Sequence, residues 1–323
     1  MRNQSGISRG KTAAVAAGAV AAVGAGLALF SQWQGRRAEA QVPPDGKFVE
    51  VPGARLHYVE LGEGSPVVMV HGLGGQLRNF SYALAEIVAR HHRVILIDRP
   101  RSGYSTVDAG SEPGVIEQAA IIAAGITALG LERPLYVGHS LGGALGLALA
   151  LNHAGVVRAL ALIAPLTQPQ PEPPAVFRGL AAGAATKGAR LVISNTLALP
   201  LAMLTSPATL KQVFAPEPAP DDFHVRGGGV LALRPANVAA AMFEIGRASQ
   251  DMEALQPRYG ELTLPVSILF AREDHVLNYQ RDGEKTAGEI ARCRLELVDG
   301  GHMLPVTQPE LTARFIERAA AER

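Results

Sequence analysis

The chain has 323 residues, 48% of them apolar, enough to bury a large core in one big domain or two ordinary ones. Its 30 basic and 29 acidic side chains leave a net charge of +1, and no basic run interleaves with aromatics, which speaks against a nucleic-acid partner. Cys293 is the only cysteine, so no intramolecular disulfide forms, and without a Cys/His cluster at zinc spacing no structural metal is expected.

The chain opens on an uncharged run, "TAAVAAGAVAAVGAGLALF" at 12–30, preceded by Arg2, Arg9 and Lys11 and followed by Arg36 and Arg37. At roughly 1.5 Å per residue a helix of this length just crosses a hydrocarbon core, although Ala and Gly insert less willingly than Leu or Ile. Three readings stand. The length and the arginines after the run favour an uncleaved membrane anchor, and the small-x-small "AEA" at 38–40 favours a cleaved signal peptide. A soluble helix packed on the domain is the third. In the first two the catalytic domain lies outside the cytoplasm, either anchored or secreted and periplasmic. The spacing of Gly18, Ala22 and Gly26 carries little weight in so Ala/Gly-rich a segment.

Past a proline-containing linker near 41–46, strand and helix alternate. "RLHYVEL" at 55–61, "PVVMVHG" at 66–72 and "HRVILID" at 92–98 read as strands, with helical periodicity in "LRNFSYALAEIVAR" between the last two. A helix at 115–130, the strand "RPLYVGHS", the helix "LGGALGLALALNH" and the strand "RALALIAP" at 158–165 follow. Continuous apolar runs bounded by helices predict an α/β domain, with a parallel sheet covered on both faces. The prolines of "LTQPQPEPP" then break the rhythm, and the segment to about 250 is apolar and helical in pattern. The alternation resumes with "LPVSILFARED" at 264–274, a helix near 281–291, "CRLELVDGG" at 293–301 and a closing helix from about 309. The organisation expected is therefore an N-terminal segment over 1–46, a core over 47–165 and 251–323, and a helical cap over 166–250. A cap inserted there covers the carboxyl edge of the sheet, where open α/β sheets bind ligands.

Gly138-His139-Ser140-Leu141-Gly142 sits between a strand and a helix, the setting in which G-x-S-x-G forms a nucleophile elbow. Small residues permit the tight turn, and the turn presents the serine with the Leu141 N–H aimed at a developing oxyanion. A serine hydroxyl attacks only when a base takes its proton and a carboxylate orients that base. Asp274 in "AREDHVL" and His302 in "GGHMLP" each follow an apolar strand and occur in the order the elbow demands, so Ser140, Asp274 and His302 are the candidate catalytic residues. Glu273 is the alternative carboxylate, Asp299 reads as a loop residue, and His139, His71 and His275 read as structural. "HGLGG" at 71–75 supplies the second oxyanion donor, assigned to the Leu73 N–H.

"GSPVVMVHGLGG", "VILIDRPRSGYS", "YVGHSLGGALGLALAL", "ILFAREDHVL" and "GGHMLPVTQPE" together resemble the α/β-hydrolase superfamily over roughly residues 47–322. The resemblance implies an eight-stranded, mostly parallel sheet with helices on both faces, and Ser140, Asp274 and His302 as a triad. A serine in place of an aspartate at the elbow points to ester-type or related acyl chemistry, with no cofactor. Arg101 and Ser102 depart from the family's usual residues. Either Arg101 takes an unusual backbone angle and is exposed, or it faces the pocket and pairs with an acidic substrate group. Phe177, Phe214, Phe223, Met203 and Met242 are candidates to line an apolar pocket, favouring a mostly apolar small-molecule substrate. Carbon–carbon bond hydrolysis, cofactor-free haloperoxidase or perhydrolase chemistry, and a non-catalytic binding protein on the same scaffold are the alternatives.

Overall fold

Nine short strands form one sheet in the computed structural model, which describes residues 4–181 and 186–322. Arg2 lies outside the described residues, as do the side chains of Arg9 and Lys11. The strands are β1 (Lys47–Val51), β2 (Ala54–Leu61), β3 (Pro66–Val70), β4 (Arg93–Ile97), β5 (Thr106–Val107), β6 (Leu135–His139), β7 (Ala159–Ile163), β8 (Val266–Ala271) and β9 (Cys293–Val298). Eight of them run in the order β1-β2-β4-β3-β6-β7-β8-β9, and the two-residue β5 pairs with β2. All pairings from β4 to β9 are parallel, and β2 is antiparallel to its neighbours. The expected α/β-hydrolase sheet is present, with β1 and β5 added by structure; five largely polar or half-exposed residues and a two-residue bridge leave too little periodicity to read.

The apolar runs are continuous because each strand feeds two cores. Val68, Val70, Ile95, Ile97, Tyr136, Leu160, Leu162, Ile268 and Phe270 pack on one side of the sheet against the helices Val115–Ala128 and Leu141–Asn152. The alternating Val67, Met69, Val94, Leu96, Leu135, Val137, Ala161 and Leu269 pack on the other, against Leu84, Val88, Phe315 and Ile316. A period of two with both faces buried leaves no polar position along the strand.

The N-terminal helix runs from Gln4 to Gln41, well past the apolar run. Ser31, Gly35, Ala38 and Val42 are buried at helical spacing, and Ala38 and Val42 pack with Leu231. Residues 14–23 are exposed all round. Between β7 and β8 the chain forms the helices Arg178–Ala181, Lys187–Asn195, Ala198–Phe214 and Pro235–Leu255 with intervening turns. Met252 and Leu255, at the end of the last helix, belong to the sheet's core, so this helix runs through the boundary expected at 250.

The strand order reverses between β3 and β6, since β4 lies on one side of β3 and β6 on the other. A crevice opens at the carboxyl ends of strands on either side of such a reversal. The loop 71–75 leaves β3 and Ser140 leaves β6 at that point.

Candidate active site

Ser140 caps the helix Leu141–Asn152 in a backbone conformation of φ 53° and ψ −118°, a region that side-chain-bearing residues rarely occupy. The turn is possible only because its neighbours lack side chains. A Cβ on Gly142 would sit 2.1 Å from the Val70 carbonyl oxygen, and one on Gly138 would sit 2.5 Å from that of Gly142. Gly72 is bound by the same constraint from the facing loop, where a Cβ would come 2.8 Å from the Ser140 Cβ.

Asp274 and His302 leave the ends of β8 and β9. His302 Nδ1 and Asp274 Oδ2 are hydrogen-bonded at 2.7 Å, and the carboxylate is fully buried. The other carboxylate oxygen accepts the backbone N–H groups of Val276 and Leu277 at 2.7 and 2.9 Å, which fixes the side chain's direction. Glu273 is turned elsewhere and accepts from the Gly300 N–H at 2.6 Å, while His275 is exposed. His139 donates from Nε2 to the His302 carbonyl at 3.0 Å, tying the strand that ends in the serine to the loop that carries His302. Among the described residues the Ser140 hydroxyl makes no hydrogen bond, and the backbone N–H groups of Leu73 and Leu141 have no protein acceptor.

Leu73, Ser140 and Leu141 line one cavity of about 390 Å³, walled further by Leu166, Phe177, Ile245, Val276 and Leu277. Its polar members are Gln170, Glu244 and Ser249 beside Ser140 itself; no Lys, Arg or His is among the described lining residues. Of the five cap side chains expected to line a pocket, only Phe177 does so. Phe214 and Phe223 pack with Met303 and Val306, Met242 packs with Ala198 and Val238, and Met203 is exposed. Hydrophobicity gives no sign of which face of a cap helix turns inward, so these positions could not be separated by composition.

Two loops are held in place beneath the cap. Asp98 accepts the N–H groups of Leu77 and Tyr104 at 2.8 Å each and pairs with His57 Nδ1 at 2.7 Å, joining the loops after β3 and β4. Arg99 is fully buried and bidentate to Glu244, at 2.6 and 3.1 Å, and donates also to Gln118 at 2.9 Å and to the Gly72 carbonyl at 3.2 Å. Sequence reading missed this network; the one signal was a lone glutamate in the apolar stretch "AAAMFEIG". Arg101 does take the unusual backbone angle, with φ 65°, but it is half-buried rather than exposed, its guanidinium pairing with Glu112 at 3.4 Å outside the cavity lining.

His71 hydrogen-bonds within its loop, from Nδ1 to the Gly72 carbonyl at 2.9 Å, and its Nε2 accepts from the Arg99 N–H at 3.0 Å. Burial, then the charge of Arg99, lowers its pKa to about 4; burial, then the charge of His302, lowers that of His139 to about 3. Both rings are neutral in the fold but titrate near 6.5 when unfolded. As pH falls below about 6.5 the unfolded chain binds protons that the folded one refuses, so stability is lost at up to about 1.4 kcal/mol per pH unit for each histidine. His57 acts in the opposite sense. Burial works against its charge, but the hydrogen bond and charge of Asp98 raise its pKa overall, so its contribution is lost as pH rises through that value. Urea unfolding at about pH 6.5 and about pH 4.5 is expected to give a lower stability at the acid pH in the wild type and a smaller loss in His139→Asn. Equal losses in the two proteins would mean that His139 is charged in the fold.

A family model described as the alpha/beta hydrolase fold matches residues 65–309. The chain is 36% identical over 121 residues to 2-hydroxy-6-oxo-2,4-heptadienoate hydrolase of Pseudomonas putida, a match spanning 36% of this chain and 44% of that protein. An alpha/beta hydrolase fold protein from Burkholderia ambifaria superimposes with a TM-score of 0.71 at 25% identity, over 84% of this chain and 96% of that one. A membrane phospholipase A, 21% identical with a TM-score of 0.67, covers 98% of each chain, so the likeness of fold extends to the N-terminal helix.

Proposed function

The chain belongs to the α/β-hydrolase fold family, and from that membership we propose that it is a serine hydrolase cleaving an ester or related acyl bond in a mostly apolar small molecule. Ser140 Oγ attacks the carbonyl carbon while His302 Nε2 takes the hydroxyl proton, and Asp274 holds the tautomer from Nδ1. The N–H groups of Leu73 and Leu141 receive the oxyanion. The alcohol leaves with the proton from His302, and a water deprotonated by the same ring then releases the acid. The hydrogen bond between Ser140 and His302 forms when substrate fills the cavity. The observation that carries this reading is the 2.7 Å pair of Asp274 and His302 set at the sheet edge where the strained Ser140 turn opens into an apolar cavity.

The P. putida relative's name supports a second reading, carbon–carbon bond hydrolysis of a dienoate. Such a substrate carries a carboxylate, and among the described residues the cavity lining offers it no cation, while nearby Arg99 is committed to Glu244 and Arg101 to Glu112. This favours the ester. Labelling of the wild type by a fluorophosphonate, with none in Ser140→Ala, is the expected result. An unlabelled but folded wild type would leave a binding protein on a hydrolase scaffold.

The N-terminal helix fits an uncleaved anchor with the catalytic domain outside the cytoplasm. Ala38, at the would-be cleavage site, is buried against the cap, and Glu39 pairs with Arg234 at 2.9 Å. Removing the segment would uncover Leu231. An intact N-terminus on the membrane-fraction protein, read by mass, is the expected finding.

A further inference from the structure

The cap carries an exposed apolar surface that the chemistry above does not use. Leu191 and Val192 on the helix Lys187–Asn195, and Leu197, Leu201, Met203 and Leu204 on or beside Ala198–Phe214, are all exposed, Leu204 to 81%. Leu197, Leu201 and Leu204 fall at i, i+4 and i+7, a single stripe. Large apolar side chains clustered in this way mark an interaction surface rather than the ordinary scatter of surface hydrophobics.

What covers the stripe is indicated by its place beside the N-terminal helix. Gln32 Nε2 donates to Asn195 Oδ1 at 2.7 Å, and Gln34 Nε2 to Met203 Sδ at 3.6 Å. Between those two contacts lies Trp33, exposed, 6.2 Å from the Phe30 ring and beneath the Arg37 guanidinium. An aromatic pair followed by Arg36 and Arg37 at the end of an apolar helix is the composition of a membrane–water interface. The cap helices therefore touch the N-terminal helix at the segment whose composition suits the headgroup region. Charge agrees: the two helices carry no carboxylate, and Lys187 and Lys211 are their exposed cations, Arg190 being buried against Glu112, so nothing on them opposes an anionic lipid surface.

We infer that the helix pair Lys187–Asn195 and Ala198–Phe214 lies in the outer face of the same leaflet that the N-terminal helix enters, and that the enzyme draws its substrate, a bilayer-dissolved acyl ester, from that leaflet. The cavity is joined to the docked helices through its own wall. Leu180, next to the cavity-lining Ala181, packs against the cluster of Ala198, Val238 and Met242, and Ile193 of the first docked helix packs against the same cluster. The inference rests on the anchor and ester readings proposed above.

Trp33 is the only tryptophan, which allows anchor and cap to be read separately. The full chain is reconstituted in phosphatidylcholine/phosphatidylglycerol vesicles with plain or brominated acyl chains. Quenching of wild-type Trp33 by the brominated lipid reports the anchor. In Trp33→Phe/Leu204→Trp and Trp33→Phe/Leu197→Trp the new indole reports the cap, and brominated lipid is expected to reduce its emission roughly twofold or more. Emission unaffected by brominated lipid while wild-type Trp33 is quenched overturns the docking and leaves the anchor. An indole shielded from both brominated lipid and aqueous iodide also overturns it, because a second copy of the chain would then cover the stripe. A quenched cap probe with an unquenched Trp33 removes the anchor and with it overturns the shared-leaflet inference, because the cap would then meet lipid without the N-terminal helix beside it. In a second arm, Leu201→Glu/Leu204→Glu is expected to keep its rate on a soluble short-chain ester and lose on the order of tenfold on an ester dissolved in the vesicles. Equal rates of wild type and variant on the vesicle ester overturn the delivery route, and inactivity of the wild type on both esters removes the hydrolase reading while the quenching still decides the docking.

Discussion

Ser140→Ala is expected to lower kcat for a p-nitrophenyl ester by about 10⁴ to 10⁶ fold with little change in KM, because the nucleophile acts in the chemical step rather than in binding. The substitution removes one oxygen at a 9% exposed position and leaves the Asp274–His302 pair intact, so the fold persists. The three residues act as a unit. His302→Ala is therefore expected to cost nearly as much, and the Ser140→Ala/His302→Ala double variant hardly more than either. The residual rate above that of water reports the oxyanion donors and the cavity. Near-full activity in Ser140→Ala would sink the mechanism, and a double variant whose losses multiply would mean that serine and histidine act independently.

Glu244→Ala is expected to destabilise the protein by about 3–5 kcal/mol, since it leaves the fully buried Arg99 guanidinium without its counter-charge. Such a loss lowers the unfolding midpoint by roughly 4–7 °C in a chain of this size. Glu244 does more than neutralise Arg99. It joins the helix Pro235–Leu255 to the loop after β4, and Arg99 passes the restraint on through its hydrogen bond to the Gly72 carbonyl, beside the assigned donor Leu73. Glu244→Ala is thus expected to lower kcat as well, by loosening the oxyanion loop. Replacing both partners with apolar side chains, Arg99→Met/Glu244→Leu, is expected to regain part of the stability, because no charge then remains buried. A Glu244→Ala midpoint unchanged from wild type would show that solvent reaches Arg99 and that the network is not a buried one.

Residue type and spacing along the chain determined the α/β class, the strands that form the centre of the sheet, and the triad candidates. Strand periodicity and the glycines around Ser140 are local constraints: Gly138 and Gly142 are required by backbone atoms within the elbow and on adjacent strands, whatever the rest of the fold does. The order Ser140, Asp274, His302 and their placement after apolar runs were legible for the same reason, and the structure joins the last two at 2.7 Å. The tertiary structure alone decided what depends on facing. Phe177 enters the cavity and Phe214 does not, because an apolar residue on a cap helix satisfies either side equally well and packing chooses between them. Arg99, Gln118 and Glu244 meet across 145 residues of sequence, where no local pattern links them. The N-terminal run read as apolar and helical in isolation, yet its continuation to Gln41 against the cap is a long-range contact that composition does not encode.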